Sequence, residues 1–146
     1  MKPLNLICLL FFTVCFFSCK KDTVTNTPTT KTKLDYLTAH TWKYDEYFRG
    51  YNSTTPTLYY KTGRTNNYLD LSLNRVTFRT DGTYTEITET GSTLNGTWKF
   101  LNNETQVQVT NSVGTFTSSI VILDDTKYHW FDSFNSNGTF GEMIPQ

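Results

Sequence analysis

The stretch RVTFRTDGTYTEITE, Arg75 to Glu89, decides how the rest of the chain is read. Val76 and Phe78 alternate with polar residues before Thr80-Asp81-Gly82, and Tyr84 and Glu86 alternate with threonines after it. Period-two alternation on both sides of an Asp-Gly is the pattern of a β-hairpin, because glycine accepts the positive φ that a tight turn needs. Two loop lengths fit. A two-residue turn pairs Phe78 with Thr85 and leaves Glu86 outward. A three-residue loop with a left-handed Gly82 pairs Phe78 with Tyr84 and Val76 with Glu86, and it turns Glu86 inward beside Tyr84. An aromatic pair across the ladder contributes more than an aromatic–threonine pair, which favours the second arrangement. An inward carboxylate must then find a partner or take up a proton.

The same alternation continues in both directions. Strands are predicted at Thr41 to Arg49, Arg75 to Arg79, Thr83 to Glu89, Gly96 to Phe100, Thr105 to Thr110, Thr115 to Leu123, Lys127 to Asp132 and Gly138 to Met143. Their separators, Asn102-Asn103, Asn111 to Gly114, Asp124-Asp125 and Asn135 to Gly138, are turn-forming residues. Leu34, Tyr36 and Leu37 allow one short helical turn ahead of the first strand. Gly50 to Asn67, polar and containing Pro56, reads as the longest loop. Beyond it, Leu69, Leu71 and Leu73 change phase to Val76 and Phe78, so a bulge or a break falls at Asn74-Arg75. Short connections make sequential strands antiparallel neighbours. The fold class is therefore all-β: eight antiparallel strands that either form a sandwich or close into an up-and-down barrel, closure being the arrangement that removes exposed edges.

Trp42, Tyr44, Phe78, Tyr84, Trp98, Phe100, Tyr128, Trp130 and Phe140 alternate onto the expected inner face. An eight-stranded barrel is just wide enough to be filled by side chains or to hold one small ligand. With so many rings the filled interior is the expected arrangement. The functional reading is a shallow aromatic pocket at the barrel mouth, with Tyr44, Tyr84, Glu86, Trp98, Tyr128 and Trp130 as candidate ligand-binding residues.

Charge and chemistry narrow the function classes. Thirteen Lys and Arg balance thirteen Asp and Glu without a basic cluster, which removes the electrostatic footprint of a nucleic-acid binder. His40 and His129 lie in separate elements and no second ligand stands at metal-binding spacing, so neither a metal nor another cofactor is expected. His40 reads as a turn residue and His129 as a solvent-side or interface residue between two inward neighbours. Neither a nucleophile elbow nor a phosphate-binding glycine loop occurs. The adjacent acids Asp45-Glu46 and Asp124-Asp125 cannot face each other on a strand, because successive side chains point to opposite faces. The domain reads as non-enzymatic.

The N-terminus is an address. Leu4 to Phe17 is apolar except for Asn5 and Thr13, too short to span a bilayer and of the right length for a secretory signal, residues 1–18. Cleavage removes Cys8 and Cys15 and leaves Cys19 as the one sulfur of the mature chain. Phe16-Phe17-Ser18-Cys19-Lys20-Lys21-Asp22 resembles the lipobox and following residues of bacterial lipoproteins, particularly those of Bacteroidetes, with Phe16 where leucine is usual. That resemblance implies diacylglycerol on the Cys19 sulfur and a further acyl chain such as palmitate on its amine, an anchor that is effectively stable. Residues 19–33, rich in Thr and Lys, cannot offset their own ordering entropy and read as a tether to a domain at 34–146. Asp22-Thr23-Val24 matches the short O-glycosylation pattern of the same phylum, which makes Thr23 a candidate acceptor.

Leu37 to Trp42, Phe78 to Tyr84, Leu94-Asn95-Gly96-Thr97-Trp98 and Ile120 to Asp125 together resemble the small lipocalin-like lipoproteins of Bacteroidetes over nearly the whole domain. His40-Thr41-Trp42 stands where true lipocalins carry Gly-x-Trp. The resemblance implies a compact eight-stranded barrel on a lipid-anchored protein of the cell envelope, most simply the outer membrane. Two functions from different classes follow. One is a carrier of a small hydrophobic or glycan-like ligand. The other is a protein-interaction or inhibitory module with a filled barrel, presenting Tyr51, Leu58, Tyr59 and Tyr60 from the long loop to an envelope protein partner. If Cys19 is the anchor, Cys19→Ala moves the protein from the membrane to the soluble fraction and abolishes metabolic labelling by a fatty-acid analogue. Unlabelled wild-type protein would refute the assignment.

Overall fold

The computed structural model describes residues 30–133 and 137–146. The signal segment, Cys19, Thr23 and most of the tether lie outside the described residues, as do Asn135 and Ser136 of the last turn. The described chain begins with a short helix, α1 (Lys33–Thr38), and continues through nine strands: β1 (Thr41–Arg49), β2 (Thr57–Lys61), β3 (Arg75–Phe78), β4 (Thr83–Ile87), β5 (Thr93–Leu101), β6 (Gln106–Asn111), β7 (Thr115–Leu123), β8 (Tyr128–Asp132) and β9 (Thr139–Pro145). From β3 onward each strand pairs antiparallel with the next, and β1 joins both β3 and β9. These eight strands close an up-and-down barrel, and β2 is additional to it.

The three-residue hairpin holds. Gly82 has φ 80°, Phe78 faces Tyr84, and Val76 faces Glu86. The break at Asn74-Arg75 also holds, since β3 starts at Arg75 after a turn that buries Leu71 and Asn74.

The expectation of a continuous loop from Gly50 to Asn67 is corrected by β2. Its residues pair with the second half of β1, Glu46 with Lys61 and Phe48 with Leu58. β3 contacts β1 only at Thr41 and Trp42, so the rest of that edge is open to a second partner, and β2 takes it. Unpaired backbone groups on an edge favour such a partner whatever the local composition. Pro56 immediately precedes the strand, a position where its missing N–H costs no ladder bond.

Asp45 is a bulge. Tyr44 pairs with Met143, but Glu46 already pairs with Glu142, so one residue of β1 has no counterpart in β9. The extra residue shifts the phase and brings Tyr47 to the inner side, where its ring meets Tyr44 at 5.7 Å and Trp130 at 6.3 Å. Phe48 goes outward and packs with Tyr51 and Phe140.

Phe140 is therefore not an interior residue, contrary to expectation. On β9 Met143 belongs to the core and no bulge intervenes, so Phe140, three residues earlier, must point to the other face. It stacks on Tyr51 with ring centres 4.5 Å apart and meets the His129 ring edge-on at 5.7 Å. His129 does face outward, yet this aromatic cover leaves it only 6% exposed, with Nε2 3.2 Å from Glu142 Oε1. Buried beneath side chains of its own barrel, it is not a solvent-side histidine. Tyr60 is buried and Tyr59 packs on Tyr68 and Arg49, so the segment does not present a row of free aromatics.

One end of the barrel is sealed. Thr32 and Asp35 form a reciprocal capping box that starts α1 where propensity alone would be marginal for six residues. Leu37, fully buried, enters the core, and its carbonyl accepts the Trp42 indole N–H at 2.9 Å. Lys33 Nζ donates to the Glu104 carbonyl at 2.7 Å in the β5–β6 turn, and Lys31 pairs with Asp125 in the β7–β8 turn. Among the described residues, contacts with the barrel start at Lys31. Trp98 completes the seal: its indole donates to the Arg79 carbonyl at 2.9 Å, and its ring meets Phe78 and Phe100 edge-on. A tryptophan that fills a packed core costs roughly 3 to 5 kcal/mol when truncated to alanine. Trp98→Ala should lower the unfolding free energy in urea by about that amount; a near-neutral variant would show that this end is not packed.

Candidate functional site

The seal consumes only half of the interior. Above Trp42 and Phe78 the barrel encloses a cavity of about 390 Å³ that opens toward the β4–β5 and β6–β7 connections. The expectation of a filled barrel is corrected to one filled only in part. Rings at the closed end pack edge to face against each other, whereas those in the upper half line a space. Its width follows from backbone approach at two glycines. At Gly96 a Cβ would lie 2.1 Å from the Thr110 carbonyl oxygen and 2.9 Å from the Tyr84 ring, so only glycine lets Tyr84 lie flat against β5. At Gly141 a Cβ would lie 2.4 Å from the Trp130 ring, so the absence of a side chain is what lets that indole lie back against β9.

Five of the six candidate residues meet in this cavity. Tyr44 comes from β1, Tyr84 and Glu86 from β4, and Tyr128 and Trp130 from β8. Trp98 does not line it. It points inward as expected, but it lies one turn deeper, below Gly96 and against the β3–β4 turn, where it is a structural residue of the closed end.

The polar groups are concentrated toward the mouth. Tyr84 donates its hydroxyl to Glu86 Oε2 at 3.1 Å and accepts from Asn111 Nδ2 at 2.7 Å. Burial pushes the Tyr84 phenol up to about 12, with the Asn111 bond opposing and the Glu86 charge reinforcing that rise. Burial also raises the Tyr128 phenol to about 12 against the effect of its bond with Ser118, and it lifts Tyr44 well above the usual range, the Glu86 charge adding to it. All three are therefore neutral phenols at pH 7, able to donate a hydrogen bond or present a ring face. Glu86 is raised too, first by burial, with the Tyr84 hydroxyl acting in the opposite direction and the Glu89 charge adding to the rise. Glu89 and Asp132 complete the acidic lining, and Val113, 68% exposed, and Phe116, 44% exposed, form an apolar lip.

Asn111, Glu89, Asp132 and Phe116 were not singled out by sequence reasoning. All four stand at strand ends, where alternation stops being informative and where the barrel decides which ends share a mouth. The signal available for Glu89 was modest: it follows the Tyr84, Glu86, Thr88 series by one residue. Among the described residues no group of three His, Cys, Asp or Glu side chains is placed to hold a metal.

No family model and no curated protein matches this sequence. Similarity appears among solved structures. A lipocalin-like protein from Bacteroides uniformis superposes with TM-score 0.49 at 12% identity, covering 73% of this chain and 96% of that one. A protein of Bacteroides eggerthii described as uncharacterized superposes with TM-score 0.50 at 14% identity, covering 77% of this chain and all, 100%, of that one. At that level of identity the second likeness shows a shared barrel fold, and nothing about ligands passes with it.

Proposed function

We propose that this protein is a non-enzymatic ligand carrier or receptor of the cell envelope, holding a small, largely hydrophobic or glycan-like molecule in the open half of its barrel and anchored by lipid on Cys19. The observation that carries the reading is the cavity itself. Sites for small molecules are concave, mostly apolar spaces of about 300–1,000 Å³ with a few convergent polar groups. A space of about 390 Å³ with aromatic walls and the Asn111–Tyr84–Glu86 chain at its mouth meets that description.

The anchoring half of the proposal gains from the geometry of the closed end. The chain reaches the barrel through Lys31 and α1, opposite the mouth. A lipid on Cys19 would therefore be tethered to the domain at its sealed end, at most about 40 Å away along an extended chain. The interaction-module alternative, with its plugged barrel and exposed Tyr51, Leu58, Tyr59 and Tyr60, draws less support, because the interior is not plugged and those residues are engaged in β2 and the aromatic cover.

The test is binding of an uncharged fluorescent probe, N-phenyl-1-naphthylamine, to the purified protein. Saturable one-to-one binding is expected, with loss of Trp130 emission by energy transfer. Val109→Trp, which adds bulk to the cavity wall, should abolish it while the folded baseline in circular dichroism is retained. Absence of saturable binding, or binding untouched by Val109→Trp in a folded protein, would overturn the carrier reading.

A further inference from the structure

The sign of the charge around the cavity is one-sided, although the chain as a whole has net charge zero. Three carboxylates, Glu86, Glu89 and Asp132, line it, and no lysine, arginine or histidine does. The ion pairs among the described residues lie elsewhere, Lys31 with Asp125, Lys61 with Glu46 and His129 beside Glu142, so no lysine or arginine of the described chain neutralises Glu86 or Glu89. Glu86 is half-buried with Tyr84 as its hydrogen-bond donor. A carboxylate drawn out of water without a counter-ion is costly, and folded proteins ordinarily pair such a group. The neighbouring walls are aromatic side chains, Tyr44, Phe78, Tyr84, Tyr128 and Trp130. Ring faces carry the negative end of the aromatic quadrupole and attract cations, the more so when water is excluded.

We infer that the cavity is built for an organic cation: an amine whose ammonium group meets Glu86 and Glu89 at the mouth and whose apolar body lies against Tyr44, Tyr128 and Trp130. The inference rests on the ligand-carrier reading and refines it, since every polar feature of the mouth serves one charge. The ammonium supplies the counter-ion that the protein omits. Tyr84, held by Asn111, fixes the carboxylate of Glu86 in one orientation, so its charge is preorganised and not gathered on binding. An anionic ligand of the same shape would face Glu86 and Glu89, a like-charge encounter that works as active exclusion.

Three probes of one shape separate the possibilities: 2-phenylethylamine, the carboxylate 3-phenylpropionate and the neutral 2-phenylethanol, each titrated calorimetrically into the purified protein at low ionic strength. The amine should bind at least tenfold tighter than the alcohol, and the carboxylate should bind weakest. Glu86→Gln together with Glu89→Gln should remove the preference of amine over alcohol while leaving the alcohol affinity within twofold, a pattern that loss of folding would not produce. Alcohol or carboxylate binding as tightly as the amine would overturn the charge inference and leave the carrier reading standing. No saturable binding of any of the three, together with failure of the uncharged fluorescent probe, would overturn both.

Discussion

Everything in this barrel depends on β1 serving two edges at once. Along one side it pairs with β9 from Trp42 to Arg49; along the other it gives its first residues to β3 and its last to β2. The edge is free for β2 because β3 begins at Arg75 and its pairing with β1 ends at Trp42. The bulge at Asp45 supplies the local twist, and the backbone carbonyl freed there accepts from the Thr62 amide at 2.8 Å. Closing the sheet satisfies the edge groups that eight open strands would otherwise expose, and it creates an inside. β2 is a consequence of the same geometry: where β3 leaves, an edge is exposed, and the nearest segment of chain covers it.

Once an inside exists, its contents divide by height. The closed end holds Leu37, Trp42, Phe78 and Trp98, with Trp42 edge-on to Tyr128 and Trp98 edge-on to Phe78, and both indole N–H groups donate to backbone carbonyls, so no buried polar cost remains on either ring. The open end is different because two glycines let Tyr84 and Trp130 lie back against the wall. The volume released is the cavity.

An interior of this kind also carries a cost. Here the cost is Glu86, a carboxylate raised by burial and held by one phenol in a space without cations. A structure selected only for stability would have an apolar residue at that position, since replacing isolated buried charge with packing is neutral or stabilising. Its presence beside neutral phenols and an apolar lip is a local departure from stable packing, and the proposed ligand rests on it.

The hairpin at Arg75 to Glu89 was legible because alternation and an Asp-Gly turn carry their own geometry: Gly82 takes its positive φ, and the register of Phe78 and Glu86 follows from counting. Most strands, the helical turn at Leu37 and the inward faces of Trp42, Tyr44, Tyr84, Tyr128 and Trp130 were determined in the same local way. β2 was not, since its partner edge exists only after β3 has diverged. The bulge at Asp45 and the outward turn of Phe140 were also hidden, because one unpaired residue reverses the face of everything beyond it and no composition marks where it falls. That Trp98 is structural while Trp130 lines a pocket, and that Asn111, Glu89 and Asp132 share one mouth, was decided by closure alone. Height along a barrel and proximity of strand ends are properties of the closed sheet, while the sequence by itself determines faces, turns and the order in which strands arrive.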